Sequence, residues 1–163
     1  CESGSRASRL RGSDSVSGVA SPWDGLAYGM APEEVQRRIQ GTQRGTGSSL
    51  VTGARELLTK GNLQVSGLLF EAKYYFLDGR LTQVNLGDFS GATGNDVTLR
   101  NFERLMADLR TRFGKEEKNT VKKEYWGISA SASWQIVADQ LWVSIVPLTG
   151  ETSTLMYGYK FGR

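Results

Sequence analysis

Carboxylates are the only plausible catalytic groups in this sequence, because the 163 residues include no histidine. That absence excludes Ser-His-Asp and Cys-His catalysis, histidine zinc sites and imidazole proton transfer. The pairs Glu33/Glu34 and Glu116/Glu117 are adjacent in sequence, so their side chains diverge. Helix-start charge and surface solubility account for them. A glycosidase-like pair would have to come from distant residues. Serine is abundant, yet neither Gly-x-Ser-x-Gly nor Ser-x-x-Lys occurs, and no cluster has metal-ligand spacing. Gly45-x-Gly47 lacks the third glycine of a dinucleotide fingerprint and the Gly-Lys-Ser/Thr of a phosphate loop, so it reads as a plain loop. The expectation is a protein that is not an enzyme and holds neither cofactor nor metal.

Cys1, the only cysteine, points to a modification instead. A cysteine at the first position reads as the lipid-modified residue of a mature bacterial lipoprotein whose targeting segment has been removed. The stretch behind it, Glu2–Ser21, is rich in Ser, Gly and Arg and cannot bury enough to order itself. As a flexible linker it would span roughly 25 Å. Stable anchoring takes two or more acyl chains, which lipoprotein modification supplies. Glu2 in place of Asp favours the outer membrane under the sorting rule of some bacterial lipoproteins. Residues 1–21 are therefore expected to be a tether, holding a domain on the periplasmic side of the outer membrane through a lipidated Cys1.

No apolar run approaches the ~20 residues of a membrane span. Net charge is only +3, and Arg6, Arg9 and Arg11 supply much of it. A nucleic-acid partner would call for a denser basic patch. Twenty glycines with four tryptophans and six tyrosines favour sheet over helix.

The strongest structural signal is a β-hairpin over Leu69–Leu86, alternating on both sides of Leu77-Asp78-Gly79. A two-residue Asp-Gly loop pairs Phe76 with Leu81 but sets Val84 and Leu86 against Lys73 and Glu71. A three-residue loop with a bulge at Gly79 pairs Phe70, Ala72, Tyr74 and Phe76 with Leu86, Val84, Thr82 and Arg80. The second register is expected, because it makes one face mostly apolar. The other, wet face then carries Glu71, Lys73, Tyr75, Gln83 and Asn85, the candidate protein-binding surface. Upstream, Pro32 with Glu33 and Glu34 starts a helix over about Pro32–Gln40, ended by Gly41. A strand over Val51–Leu58 then turns at Lys60-Gly61-Asn62.

Gly29, Met30, Pro32, Glu33, Glu34, Val35 and Gly41, then Tyr74, Phe76, Asp78, Gly79, Leu81 and Val84, form an order similar to that of the BamE/SmpA group of small outer-membrane lipoproteins. The resemblance covers roughly residues 25–90. Ala31 stands where that group usually has a capping Ser or Thr, and no proline follows Gly41. The resemblance implies the helix-on-sheet fold of β-lactamase inhibitor proteins and a role in outer-membrane assembly or envelope integrity.

Beyond Ser90 the pattern recurs. Phe102, Leu105, Met106, Leu109 and Phe113 make a single apolar stripe on a helix over Val97–Phe113. Asp96 or Thr98 is placed to cap its start and Gly114 its end. Strands follow near Thr120–Gly127, Ser131–Val137, Leu141–Pro147 and Thr152–Phe161, with a turn at Ala138-Asp139-Gln140. The expected fold is α+β, two tandem units of a helix packed on an antiparallel β-meander, over 22–90 and 91–163. A single continuous sheet is the competing arrangement. Trp126 and Trp142 fall on the parity opposite their strands' apolar sets, to be packed between the units or exposed in a groove.

The functional expectation is a lipid-anchored, non-catalytic scaffold that binds another envelope protein, with no nucleic acid or metal involved. An inhibitor-like module that plugs another protein's cleft is the first alternative, and a carboxylate-dependent envelope hydrolase the second.

Overall fold

The computed structural model describes residues 21–88 and 91–163. Cys1, and with it the expected lipidation and all but Ser21 of the expected tether, lies outside the described residues.

Helix α1, Pro32–Arg38, begins as the proline and the two glutamates dictate and carries Arg37 and Arg38 in its last turn. These charges complement the helix dipole at both ends. Ala31 at the N-cap gives no side-chain hydrogen bond, and the helix stops two residues short of the expected Gln40. Val35 is its one fully buried residue. The segment before it is pinned by Gly29 N–H donating to Leu81 O, and Leu81 N–H to Met30 O, both at 2.9 Å. The two halves of the family-like pattern thus touch each other.

Strand β1 is Gln43–Arg44 and β2 is Arg55–Val65. The expected turn at Lys60-Gly61-Asn62 is instead a register shift inside β2, where Asn62 takes a φ of 58°. A bulge absorbs these residues and the strand continues. The chain reverses further on, at Ser66 and Gly67 with φ 55° and 75°, into β3, Leu68–Leu77. Strand β4 is Arg80–Asp88 and β5 is Thr93–Gly94.

Helix α2, Asn95–Phe113, buries Phe102, Leu105, Met106 and Leu109, four of the five stripe residues. Gly94 occupies its N-cap without a side-chain bond. Thr98 is buried and reaches back to Gly94 O at 3.2 Å, so neither it nor Asp96 caps the helix. Gly114 ends the helix with a φ of 84°, as a residue without Cβ can do without strain. Strands β6 Lys118–Glu124, β7 Gly127–Ile136, β8 Asp139–Pro147 and β9 Thr152–Lys160 follow.

The tandem-unit fold is overturned. Among the described residues the strands form one nine-stranded antiparallel sheet, ordered β1-β2-β3-β4-β9-β8-β7-β6, with β5 on β9. The last strand folds back between the halves and pairs with β4, setting Val84 against Tyr159 and Leu86 against Tyr157. Two separate units would leave β4 and β9 each with an open edge of unpaired backbone groups, and joining them satisfies both edges. The helices are also unequal. At seven residues α1 is too short to cover a sheet of its own, whereas α2 lies across β7, β8 and β9. One core results, running from Val35 through Phe70, Tyr74, Leu86 and Tyr157 to Leu105, Val143 and Trp134.

Candidate functional site

The hairpin β3–β4 positions the candidate surface. At its tip Asp78 and Gly79 both take positive φ, 53° and 75°, the geometry of a two-residue type I′ turn. Phe76 therefore opposes Leu81 and Leu77 opposes Arg80, not the expected three-residue loop. The extra residue sits one step further on, at Thr82, where the ladder shifts before Tyr75 meets Gln83. Thr82 Oγ1 marks the bulge by donating to Tyr75 O at 3.2 Å. Beyond it Tyr74 opposes Val84 and Ala72 opposes Leu86. This is two residues away from the expected pairing, and a slip of two preserves which face each side chain occupies. The division into an apolar and a polar face therefore survives although the register does not.

The core side of the sheet faces α2, and among the described residues no helix packs on its other face. On that open face Glu71 opposes Gly87, Lys73 opposes Asn85 and Tyr75 opposes Gln83. Glu71, Lys73, Tyr75 and Asn85 line one depression of roughly 280 Å³ together with Gly87, Asp88 and Met156. Gln83 does not line it, but its Nε2 donates to Asn85 Oδ1 at 2.6 Å and fixes that amide. Glu71 accepts from Thr59 Oγ1 at 3.4 Å. Tyr75 departs from expectation: it lies on the predicted face but is only 7 % exposed. Burial first, and the Glu56 carboxylate second, push its phenol above the ordinary tyrosine range, so it is a neutral hydroxyl at physiological pH. The depression offers Lys73 as a cation, Glu71 and Asp88 as anions, the amide of Asn85 and the thioether of Met156. Such a set suits recognition by hydrogen bonds and charge.

The open face continues over β9, β8 and β7. Met156 pairs with Ser144, and Gly158 with Trp142. Ser144 pairs in turn with Ser131, and Trp142 with Ser133. Trp142 is half-buried and Trp126 is 45 % exposed. With a single sheet there is no second unit for them to be packed against.

Sequence reasoning missed Glu56, which is 1 % exposed at the margin of this face. Its carboxylate accepts from Thr46 N at 3.0 Å, Thr46 Oγ1 at 3.1 Å and Ser48 Oγ at 3.1 Å. Lys73 Nζ stands 3.7 Å away. The plain loop over Gly45–Ser48 is thus a cradle for an internal anion. A Cβ at Gly45 would fall 2.6 Å from Glu56 O, so only glycine allows this close approach. No local sequence signal marked Glu56, because it follows Arg55 at the start of a mixed strand and its partners come from a separate loop.

Two further pockets lie beside the N-terminal segment. One, of about 100 Å³, is lined by Trp23, Val65, Leu109, Arg112 and Tyr157 among others. The second holds two carboxylates, Asp24 and Asp139, beside Tyr159. Asp139 accepts from Tyr159 Oη at 2.6 Å and from Gly162 N at 2.7 Å. Asp24 accepts from Ser21 N at 2.9 Å. Asp139 fastens the segment after β9 to the β7–β8 turn, whereas Asp24 closes a local turn with Ser21. Glu33/Glu34 and Glu116/Glu117 do not line this pocket, and Glu116 is paired with Arg110. Among the described residues no group of three or more Cys, Asp or Glu side chains is placed to hold a metal ion, and no helix is long and apolar enough to cross a membrane.

Comparison of the chain with protein-family models, curated proteins and solved structures found no match.

Proposed function

We propose that the chain is a non-catalytic protein-binding or scaffold module that works through the open face of its sheet, around Glu71, Lys73 and Asn85. The supporting observation is the depression these residues line with Asp88 and Met156, on a sheet face that, among the described residues, no helix covers. Polar rims around a partly apolar floor are ordinary features of protein interfaces. Tyr75 and Gln83 serve from behind, one as buried floor and the other as the group that orients Asn85. Placement at the bacterial outer membrane, a lipidated Cys1 and a part in envelope assembly belong to this proposal as sequence expectations only. Incorporation of labelled palmitate into the chain made from its own precursor tests the lipid.

The binding reading is tested by a photo-crosslinking residue placed at Lys73 or Asn85 in cells, with Ala107, on the exposed side of α2, as the control position. The expected result is a defined crosslinked species from the two sheet positions and none from Ala107. Identical crosslinks from all three positions, or none from any, overturn it.

A further inference from the structure

The β6–β7 and β8–β9 turns meet at one end of the sheet. A Cβ on Gly127 would lie 2.9 Å from Thr149 O and 3.0 Å from Pro147 Cβ, and one on Gly150 would lie 3.2 Å from Tyr125 O. The two turns are in contact and present a single tip. On it stand Tyr125, 96 % exposed, Leu148, 51 %, and Trp126, 45 %. Val146, also exposed, lies just behind on β8. Single exposed apolar residues need no explanation, but several large ones gathered on touching turns do. Turns without a binding role are usually built from small polar residues.

The strand that leads to this tip is basic. Every residue of β6 is exposed, and Lys118, Lys122 and Lys123 are among them. Glu124 and Glu151 offset part of that charge at the tip itself. Aromatic rings with an apolar body and a polar edge, beside lysines able to extend past them, match the boundary between acyl chains and anionic headgroups.

We propose that this tip docks on the surface of an anionic lipid bilayer, with Tyr125, Trp126 and Leu148 entering the headgroup–acyl boundary and Lys122 and Lys123 at the phosphates. The charge complementarity is with the lipid phosphates, and the apolar side chains, which project from turns and fill no groove, suit a deformable surface. This site is separate from the open-face depression, so either proposal stands or falls without the other. Because the two glutamates temper the charge, apolar insertion carries most of the binding and added salt removes only part of it.

The test is co-sedimentation of the full chain, prepared without lipid modification, with vesicles of phosphatidylethanolamine and phosphatidylglycerol. Acyl chains brominated near the headgroup report tryptophan insertion by quenching. The expected result is vesicle binding accompanied by quenching, with Trp126→Phe abolishing the quenching while retaining most of the binding. Trp23 and Trp134 are buried and Trp142 lies over Gly158 in the middle of β8, away from the tip, so all three stay silent. Tyr125→Ser combined with Leu148→Ser is expected to lower the bound fraction about tenfold or more, with an unchanged circular dichroism spectrum because both side chains are exposed. Lys122→Glu with Lys123→Glu is expected to weaken binding to these vesicles. Failure to sediment with vesicles, binding indifferent to the Tyr125 and Leu148 substitutions, or quenching that survives Trp126→Phe overturns the proposal.

Discussion

The indole of Trp142 lies across Gly158, its direct partner in the β8–β9 ladder, so closely that a Cβ on the glycine would fall 2.5 Å from Cζ2 and 2.7 Å from Cε2 of the ring. An aromatic side chain covering a strand glycine shields the backbone that the glycine leaves bare. Gly158 is buried as a result, although it faces the open side of the sheet.

Gly158→Ala is therefore expected to destabilise the protein by about 1–3 kcal/mol, the usual cost of overpacking. Trp142→Ala relieves the contact with the ring but not the one with Val84 O, 2.7 Å from the same Cβ. In a double-mutant cycle read by urea unfolding, Gly158→Ala should cost less in the Trp142→Ala background without becoming neutral. Equal costs in both backgrounds would contradict the packing described.

The Glu56 cradle gives a second expectation. Glu56→Ala leaves the Thr46 N–H and the hydroxyls of Thr46 and Ser48 without their acceptor, which costs about 1–3 kcal/mol. The Glu56 charge is the second cause, after burial, of the raised Tyr75 pKa. Removing it should lower the Tyr75 titration midpoint while leaving it above that of an exposed tyrosine, as ultraviolet pH titration against a Tyr75→Phe control would read.

Acid stability should depend on Glu116. Its carboxylate accepts from Arg110 Nε at 2.7 Å and Asn119 Nδ2 at 2.6 Å. These bonds, Arg110 foremost and against the opposing effect of burial, hold its pKa down to about 2. A carboxyl whose folded pKa lies below its unfolded value of ~4.3 adds stability above that value and loses it as pH falls toward 2. The wild-type urea midpoint should therefore fall more steeply than that of Glu116→Gln between about pH 5 and pH 2. Parallel curves would show that the pair contributes nothing to folding.

Val137 carries a φ of 57° in the β7–β8 turn and is 95 % exposed. A β-branched residue is strained in that region, and no burial compensates it. Val137→Asn should raise stability by about 0.5–1 kcal/mol, seen as a higher thermal midpoint. A lower midpoint would mean that the turn depends on the valine.

How far the sequence reached differs from element to element. The stripe Phe102–Phe113 was legible because a helix period of 3.6 needs no distant partner to be read. The polar and apolar faces of β3 and β4 were legible for the same kind of reason, since alternation survives a register error of two. The register was not. Asp78-Gly79 is compatible with a two-residue or a three-residue loop, and only the bulge at Thr82 reconciles the tight turn with the apolar pairing. The reversal at Ser66-Gly67 was masked by Gly61-Asn62, an equally good turn signal that the structure uses as a bulge. Asn62 and Ser66 both take positive φ, so local chemistry could not choose between them.

The candidate surface divides the same way. By itself the sequence determined which residues of the hairpin share a face, where the first helix begins, and that histidine chemistry is absent. Tertiary structure alone decided that β9 returns to pair with β4, merging two apparent units into one sheet, because strand order is set by which edges find partners far along the chain. It also decided that Tyr75 is covered while Lys73 is not, that Thr46 and Ser48 hold Glu56, and that Tyr125, Trp126 and Leu148 meet at one tip. Each of these depends on closing a long loop of chain, and local periodicity carries no record of that.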